Sequence, residues 1–177
     1  MTSQPRPALI ATRIPAPYPC QVVWDEASQT ISATVERQPT ASANLAQHIE
    51  RTLFEMDTER RLVLGDLDIL LEGENRFNAL DMRIGPRASW RQRPAPAHLS
   101  MDGPADIAFN AEFDANGIAV VEATVGAFFD AATGTLCLQI KDASSAVRHL
   151  RLADKLSFGV DDDGRLTEIL LGVDGLI

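Results

Sequence analysis

The residues of this chain best placed to do chemistry are carboxylates grouped in a turn near its end. Asp161, Asp162 and Asp163 are consecutive, and Glu168 follows them closely. A calcium ion takes about six to eight oxygen ligands, and such a group offers several. The spacing differs from a loop of about twelve residues ending in a bidentate glutamate, and Gly164 after the aspartates is typical of a hairpin turn. We therefore expect a structural turn that binds no metal.

Cysteine and histidine side chains offer a second chemistry, nucleophilic catalysis or zinc binding. The chain contains Cys20, Cys137, His48, His98 and His149, and none of them forms a Cys-x-x-Cys or His-x-x-x-His pair. Cys137 lies inside an alternating apolar segment, where a buried and unreactive thiol is the common outcome. The sequence has no nucleophile elbow, phosphate loop or dinucleotide fingerprint. We expect a protein that is not an enzyme and needs no cofactor.

A cationic cluster lies in a proline-rich stretch of this acidic chain. Arg83, Arg87, Arg91 and Arg93 surround Trp90, whereas the formal net charge of the whole chain is −9. A tryptophan flanked by arginine is typical of protein interfaces and of stacking sites for single-stranded nucleic acid. Because the acidic charge opposes phosphate binding, we predict a loop that binds protein. The alternative is that Trp90 folds back onto the core.

Composition limits the class of protein. The chain has 177 residues, of which 45% are hydrophobic and 23% charged, which suits one globular domain. Its acidity argues against nucleic-acid and membrane partners, and no apolar run approaches the roughly 20 residues that cross a bilayer. The prolines near the N-terminus interrupt any signal-peptide core, and two cysteines are too few for a disulfide framework. We expect a cytoplasmic protein with free thiols.

The elements that would position these residues alternate with a period of two. Residues 21–35, 67–84 and 127–140 each contain two alternating apolar segments around a turn, which predicts hairpins. Residues 41–52 have apolar positions four apart and predict a helix. Residues 144–154 fit either a helical turn or a strand. We predict about ten to twelve strands in antiparallel hairpins, with one or two short helices.

An acidic turn between apolar segments recurs along the chain. The turn aspartates Asp57, Asp114 and Asp161 are separated by 57 and 47 residues, and such a period is typical of folds that stack one supersecondary unit. The fold class that we predict is mostly β, a single sandwich- or barrel-like domain built from internal repeats. The predicted organisation is a flexible proline-rich arm (1–19), three repeats (about 20–72, 75–125 and 126–177) and an inserted loop (85–104).

The last of these repeats resembles a short bacterial domain family of unknown function. In that family an aromatic residue and an aspartate precede an apolar strand, and an Asp-x-x-Gly turn leads into a strand rich in Ile and Val. The resemblance covers about residues 126–173 and, more faintly, 21–71, and it implies no enzymatic activity. The chain has Gly134-Thr135-Leu136-Cys137 where the family has an Asp-x-Leu-Tyr run. The matching segments are Phe129-Asp130, Leu136–Ile140 and Val160–Ile169.

Two functions remain open at this point. The first is a non-enzymatic interaction or structural module that acts by self-association, as a homo-oligomer, or through another protein. Its exposed edge would be the last strand, residues 166–177, which has no Lys, Arg or Pro to protect it. The alternative is a barrel or sandwich that binds a small apolar ligand in its interior. The aromatic residues that would line that interior are Trp24, Phe54, Phe109, Phe113, Phe128 and Phe158.

Overall fold

The chain folds into two β-sheets. A computed structural model describes residues 4–37, 59–97 and 103–175, and within them fourteen strands and one short 3-10 helix form. The predicted mostly β fold is confirmed, whereas the helix predicted over 41–52 lies outside the described residues. The strands are β1 (Ala8–Arg13), β2 (Cys20–Asp25), β3 (Thr30–Val35), β4 (Arg60–Leu64), β5 (Leu67–Glu72), β6 (Arg76–Arg83), β7 (Arg91–Gln92), β8 (Ala105–Asn110), β9 (Ile118–Val121), β10 (Val125–Asp130), β11 (Thr135–Ile140), β12 (Arg148–Ala153), β13 (Leu156–Val160) and β14 (Leu166–Gly172).

The larger sheet, sheet A, is branched. Its strands lie in the order β1-β8-β6-β5-β4-β9, and β3 also pairs with β6 and carries β2. The branch arises because one edge of β6 is long enough for two neighbours. Arg76 pairs with Ala108 of β8, and the stretch from Ala79 to Arg83 pairs with β3. Strand β2 is left with a single partner.

The smaller sheet, sheet B, has the order β12-β13-β14-β11-β10-β7. The two sheets share one core, in which the rings of Phe77 (β6) and Phe158 (β13) lie 5.3 Å apart. Phe109 of β8 lies 5.8 Å from Phe158. All three rings are buried, and this inward alternation of apolar side chains is what the period-two pattern of the sequence predicts.

The predicted hairpins form where the sequence places them. The β2–β3, β5–β6 and β10–β11 pairs are antiparallel, and residues 144–154, which fitted a helix or a strand, contain β12. The β5–β6 turn needs left-handed backbone twice, at Gly73 with φ 54° and at Asn75 with φ 61°. Glycine and asparagine are the residues that adopt this region most readily.

The predicted repeat does not correspond to a repeated hairpin. Strands β8 and β9, which flank the turn at Asp114, are not neighbours, and β9 pairs in parallel with β4. Strand β7 also pairs in parallel with β10. The expectation of antiparallel hairpins alone is therefore wrong, because similar turns join strands that pair with different partners. The first copy of the turn, residues 54–58, lies outside the described residues.

Part of the predicted flexible arm is a strand. Residues 8–13 form β1, which pairs with β8 along its whole length. The amide of Leu9 also donates to Gly164 O at 2.9 Å, and the amide of Leu166 donates to Pro7 O at 3.0 Å. The prediction that the folded part begins near Cys20 is wrong, because residues 8–14 are free of proline and can pair.

The last strand is central, which corrects the prediction of an exposed C-terminal edge. Strand β14 lies between β13 and β11, and six of its seven residues are buried. The lack of Lys, Arg and Pro in this strand reflects burial on both faces rather than an unprotected edge.

Candidate interaction surface

The loop that carries the predicted interaction residues is built from short-range hydrogen bonds. A 3-10 helix spans Arg87–Ser89 and follows Gly85, which has a φ of 80°. The Ser89 amide and hydroxyl both donate to Pro86 O, at 2.9 and 2.7 Å. Arg93 N then donates to Phe129 O at 3.0 Å and fixes the loop to sheet B. The predicted insertion is thus an ordered segment where the structure describes it.

Trp90 is the anchor of this loop and not an exposed contact residue. It is only 7% exposed; its ring lies 4.7 Å from Trp24 and 5.8 Å from Phe129, both edge to face. Its Nε1–H donates to Gly85 O at 3.1 Å. The exposed-tryptophan prediction is wrong and its alternative is correct, because an aromatic pocket at the margin of both sheets buries the indole.

The four arginines around Trp90 point into solvent. Arg83, Arg87, Arg91 and Arg93 are all exposed, and together they form what we call the arginine surface. Within the described residues, Arg83, Arg91 and Arg93 have no carboxylate at ion-pair distance. Arg93 lies over the ring of Phe128, 5.0 Å from its centroid. The surface therefore presents Arg83, Arg91 and Arg93 to solvent without a carboxylate partner among the described residues.

Other arginines of the chain are neutralised within the protein. Arg37 contacts Glu72 at 3.0 Å and Asp106 at 2.7 Å, and its guanidinium lies 5.2 Å from the centre of the Tyr18 ring. Arg76 Nη1 lies 3.7 Å from Asp106. This half-buried cluster could not be predicted from local patterns, since its members come from distant segments. Its balanced charges suit a structural role in joining β3, β5, β6 and β8.

The carboxylate of Asp161, in the acidic turn, is bonded to donors within the protein. One oxygen of Asp161 accepts from the amides of Asp163 and Arg165, at 3.1 and 3.0 Å. The other lies 2.8 Å from Arg6. Burial alone would raise the pKa of Asp161, but the Arg165 amide and the Arg6 guanidinium outweigh it and the pKa lies below its usual range. A calcium ion at Asp161 would have to displace these donors.

A buried His-Glu pair crosses the outer face of sheet B. His149 Nε2 lies 2.7 Å from Glu168 Oε1, and both side chains are almost fully buried. Gly159 stands between them, and a Cβ at that position would lie 2.5 Å from Glu168 Cγ. The glycine therefore leaves room for Glu168 to reach His149. His48 and His98 lie outside the described residues. That the histidines take no part in catalysis stays a prediction.

Cys137 lies on the same face of sheet B and is fully buried. Among the described residues, no group of three or more His, Cys, Asp or Glu side chains is placed to hold a metal ion. It packs in a small apolar cluster with Phe128 and Leu170. Burial, helped by the negative charge of Glu168, raises the pKa of the Cys137 thiol. The thiolate is the reactive form of cysteine, so this environment favours the inert interpretation.

Among the described residues, aromatic side chains fill part of the interior proposed to bind a ligand. Phe109 and Phe158, two of the residues proposed to line a binding cavity, pack directly against each other and against Phe77. Trp24 and Phe113 are only partly buried, and Phe54 lies outside the described residues. A surface groove of about 680 Å³ lies between β9 and the end of β11, with mixed polar and apolar walls.

Comparisons with protein-family models and with curated proteins find no match to this chain. The resemblance of residues 126–173 to a domain of unknown function therefore stays an expectation. Among the described residues, no helix is long and apolar enough to cross a membrane.

Proposed function

We propose that the protein is a non-enzymatic interaction module, and that it binds an acidic protein surface through the arginine surface. The observation that supports this proposal is a set of exposed arginines held by a buried Trp90 on a chain with a net charge of −9. Guanidinium groups bind carboxylates in a planar, two-pronged geometry. A rigid support reduces the entropy that such contacts cost on binding.

The partner that the molecule itself offers is a second copy. An acidic chain with one basic region can match that region to an acidic region of its neighbour, as in many symmetric oligomers. Individual exposed ion pairs stabilise by only about 0–1 kcal/mol. Several arginines in one place are therefore needed, which is what the loop supplies.

The alternative function, binding of a small apolar ligand inside the fold, has less support. Ligand pockets of this kind have volumes of about 300–1,000 Å³ and bury most of the ligand. The aromatic side chains that would line such a pocket here are in contact with one another. The residues that would have to make room are already packed as a core.

Light scattering coupled to size exclusion tests the proposal. We expect a mass above the 19.2 kDa of one chain, increasing with protein concentration and decreasing with salt, because screening weakens charge contacts. Arg91→Glu should weaken association about tenfold, equivalent to about 1.4 kcal/mol. A mass of one chain at every concentration and salt level would contradict the proposal.

Arg148→Glu is the matched control. Arg148 is also an exposed arginine on an edge strand, and the substitution causes the same change in net charge. It lies on β12, at the opposite end of sheet B from Arg91 on β7; five strand spacings of about 4.8 Å put the two strands about 24 Å apart. Equal loss of association in both variants would show that net charge, and not the arginine surface, controls binding.

A further inference from the structure

Strand β2 is an edge of sheet A with unpaired backbone groups. The Glu36 amide donates to Pro19 O at 2.9 Å, and in the antiparallel register this places the backbone of Gln21, Val23 and Asp25 toward β3. The N–H and C=O groups of Val22 and Trp24 therefore point away from β3. Within the described parts of the chain, no protein group bonds to them.

This edge lacks the usual protection against pairing. Strand β2 has no proline, lysine or bulge, and these are the features that natural edge strands use to avoid association. Val23 is 46% exposed on the outward face. Trp24 is held in place by Trp90 and by a 2.7 Å hydrogen bond from its Nε1 to Glu26. The unpaired groups are thus presented by an ordered strand.

The two ends of β2 differ in charge. Beside Cys20, at one end, lie Asp154, whose carboxylate accepts the Cys20 amide at 3.0 Å, and the exposed Glu36. Lys155 is also close to Cys20, but its ammonium group is paired with Asp174. At the other end, the ring of Trp24 contacts that of Trp90, which belongs to the same loop as Arg87, Arg91 and Arg93. Asp25 and Glu26 also lie at this end, but the carboxylate of Asp25 accepts from Ala27 and Ser28 of its own turn, and that of Glu26 accepts from Trp24 Nε1. Antiparallel pairing of two such strands would bring each basic end to an acidic end.

We infer that two copies of the protein pair β2 with β2 in antiparallel fashion, with Val23 on the two-fold axis. The inference rests on the proposed function, because the arginine surface supplies the charge match. Val22 of each copy exchanges two hydrogen bonds with Trp24 of the partner subunit, which gives four bonds in all. The exposed Val23 side chains meet across the axis.

The pairing is limited to the centre of the strand. The Cys20 amide is already bonded to Asp154, so the interface ladder ends before that residue. Such a short ladder is self-complementary, as a two-fold interface requires. These features favour a second copy over a foreign strand as the occupant of this edge.

Disulfide trapping tests the register. Directly opposed residues in a non-hydrogen-bonded antiparallel pair have Cα atoms about 4.5 Å apart, within the range of about 4.4–6.8 Å that a disulfide spans. Val23→Cys should therefore form a disulfide-linked dimer under mild oxidation. Burial raises the pKa of the native Cys20 thiol to about 11, so it should not compete at neutral pH.

Gln21→Cys is the matched control for this experiment. Gln21 is exposed on the same face of the same strand, two residues from Val23. In the inferred register its two copies lie about 14 Å apart, at about 3.4 Å per residue. We expect at least tenfold more covalent dimer from Val23→Cys than from Gln21→Cys. Equal yields from the two variants would overturn the β2 register.

A second pair of variants tests the backbone bonds themselves. Val22→Pro removes the N–H of residue 22, which points away from β3, and proline is tolerated in an edge strand at such a position. Val22→Ala also truncates the valine side chain but keeps the N–H. We expect Val22→Pro to raise the dimer dissociation constant at least tenfold relative to Val22→Ala. Circular dichroism of each variant checks that the fold is retained.

The outcomes separate this inference from the proposed function. If Arg91→Glu weakens association while Val22→Pro and Val22→Ala behave alike, the arginine surface binds a partner and the β2 pairing is wrong. If Val23→Cys links efficiently while Arg91→Glu has no effect, the strand pairing stands without the arginine surface. A wild-type protein that stays monomeric, with no linkage of Val23→Cys, contradicts both.

Discussion

Replacement of Trp90 by alanine is the most direct test of how the loop is held. The substitution removes a ring that is 7% exposed and packs edge to face on Trp24 and Phe129. Truncation of a buried Trp or Phe to Ala usually costs about 3–5 kcal/mol of unfolding free energy. Trp90 lies at the margin of the core, where the loop can relax toward solvent, so we expect about 3 kcal/mol.

The contacts of the ring account for this magnitude. Each aromatic pair contributes about 0.5–1.5 kcal/mol beyond its buried area. The hydrogen bond from Nε1 to Gly85 O adds about 0.5–1.5 kcal/mol. Trp90→Phe keeps an aromatic ring and loses that hydrogen bond, so it should cost about 1–2 kcal/mol.

Urea unfolding followed by far-ultraviolet circular dichroism measures both values, because that signal comes mainly from the peptide backbone, whereas tryptophan fluorescence would change with the substitution itself. For a chain of this length, a loss of about 3 kcal/mol lowers the melting temperature by about 6–12 °C. A loss below about 1 kcal/mol for Trp90→Ala would show that the indole is not a core anchor. The loop would then be held by its backbone bonds to Pro86 and Phe129.

Three further predictions concern the other sites. Gly159→Ala should cost about 1–3 kcal/mol by overpacking, because its Cβ would collide with Glu168; equal stability to wild type in urea would contradict the packing described. The carboxyl of Asp161 has a folded pKa below its unfolded value of about 3.9, so it stabilises above that pH and the contribution disappears as the pH falls through the folded pKa. Asp161→Asn should therefore lower stability at pH 7 and flatten the acid dependence, and a parallel pH profile would refute this; calcium should leave the melting temperature unchanged. Cys137→Ser should cost about 1–3 kcal/mol through a buried hydroxyl, and rapid reaction of wild-type Cys137 with a thiol reagent at neutral pH would contradict its burial.

Local patterns in the sequence predicted the hairpins and the β class. The alternation in residues 21–35, 67–84 and 127–140 matches the observed pairs β2–β3, β5–β6 and β10–β11. These pairs join neighbours along the chain, so their turn residues and their period of two contain the necessary information. The cluster of arginines was also visible in the sequence, whereas the burial of Trp90 was not.

The sequence did not predict which strands would become neighbours over long distances. The parallel pairs β4–β9 and β7–β10, the pairing of β1 with β8, and the central position of β14 all join distant segments. Such pairs depend on how sheets A and B pack on a shared core, and no local signal distinguishes an unprotected edge strand from one buried on both faces.

The short-range features of this protein follow from its sequence alone: apolar alternation, turn residues, and the type and charge of each side chain. By contrast, the packing of distant segments buries Trp90, pairs Asp161 with Arg6 and, within the described residues, leaves β2 rather than β14 at an edge of a sheet. The exposure of a side chain and the pairing of a strand depend on which distant segments pack together, and short-range patterns do not specify this. A side chain or a backbone amide becomes available only when no distant segment covers it.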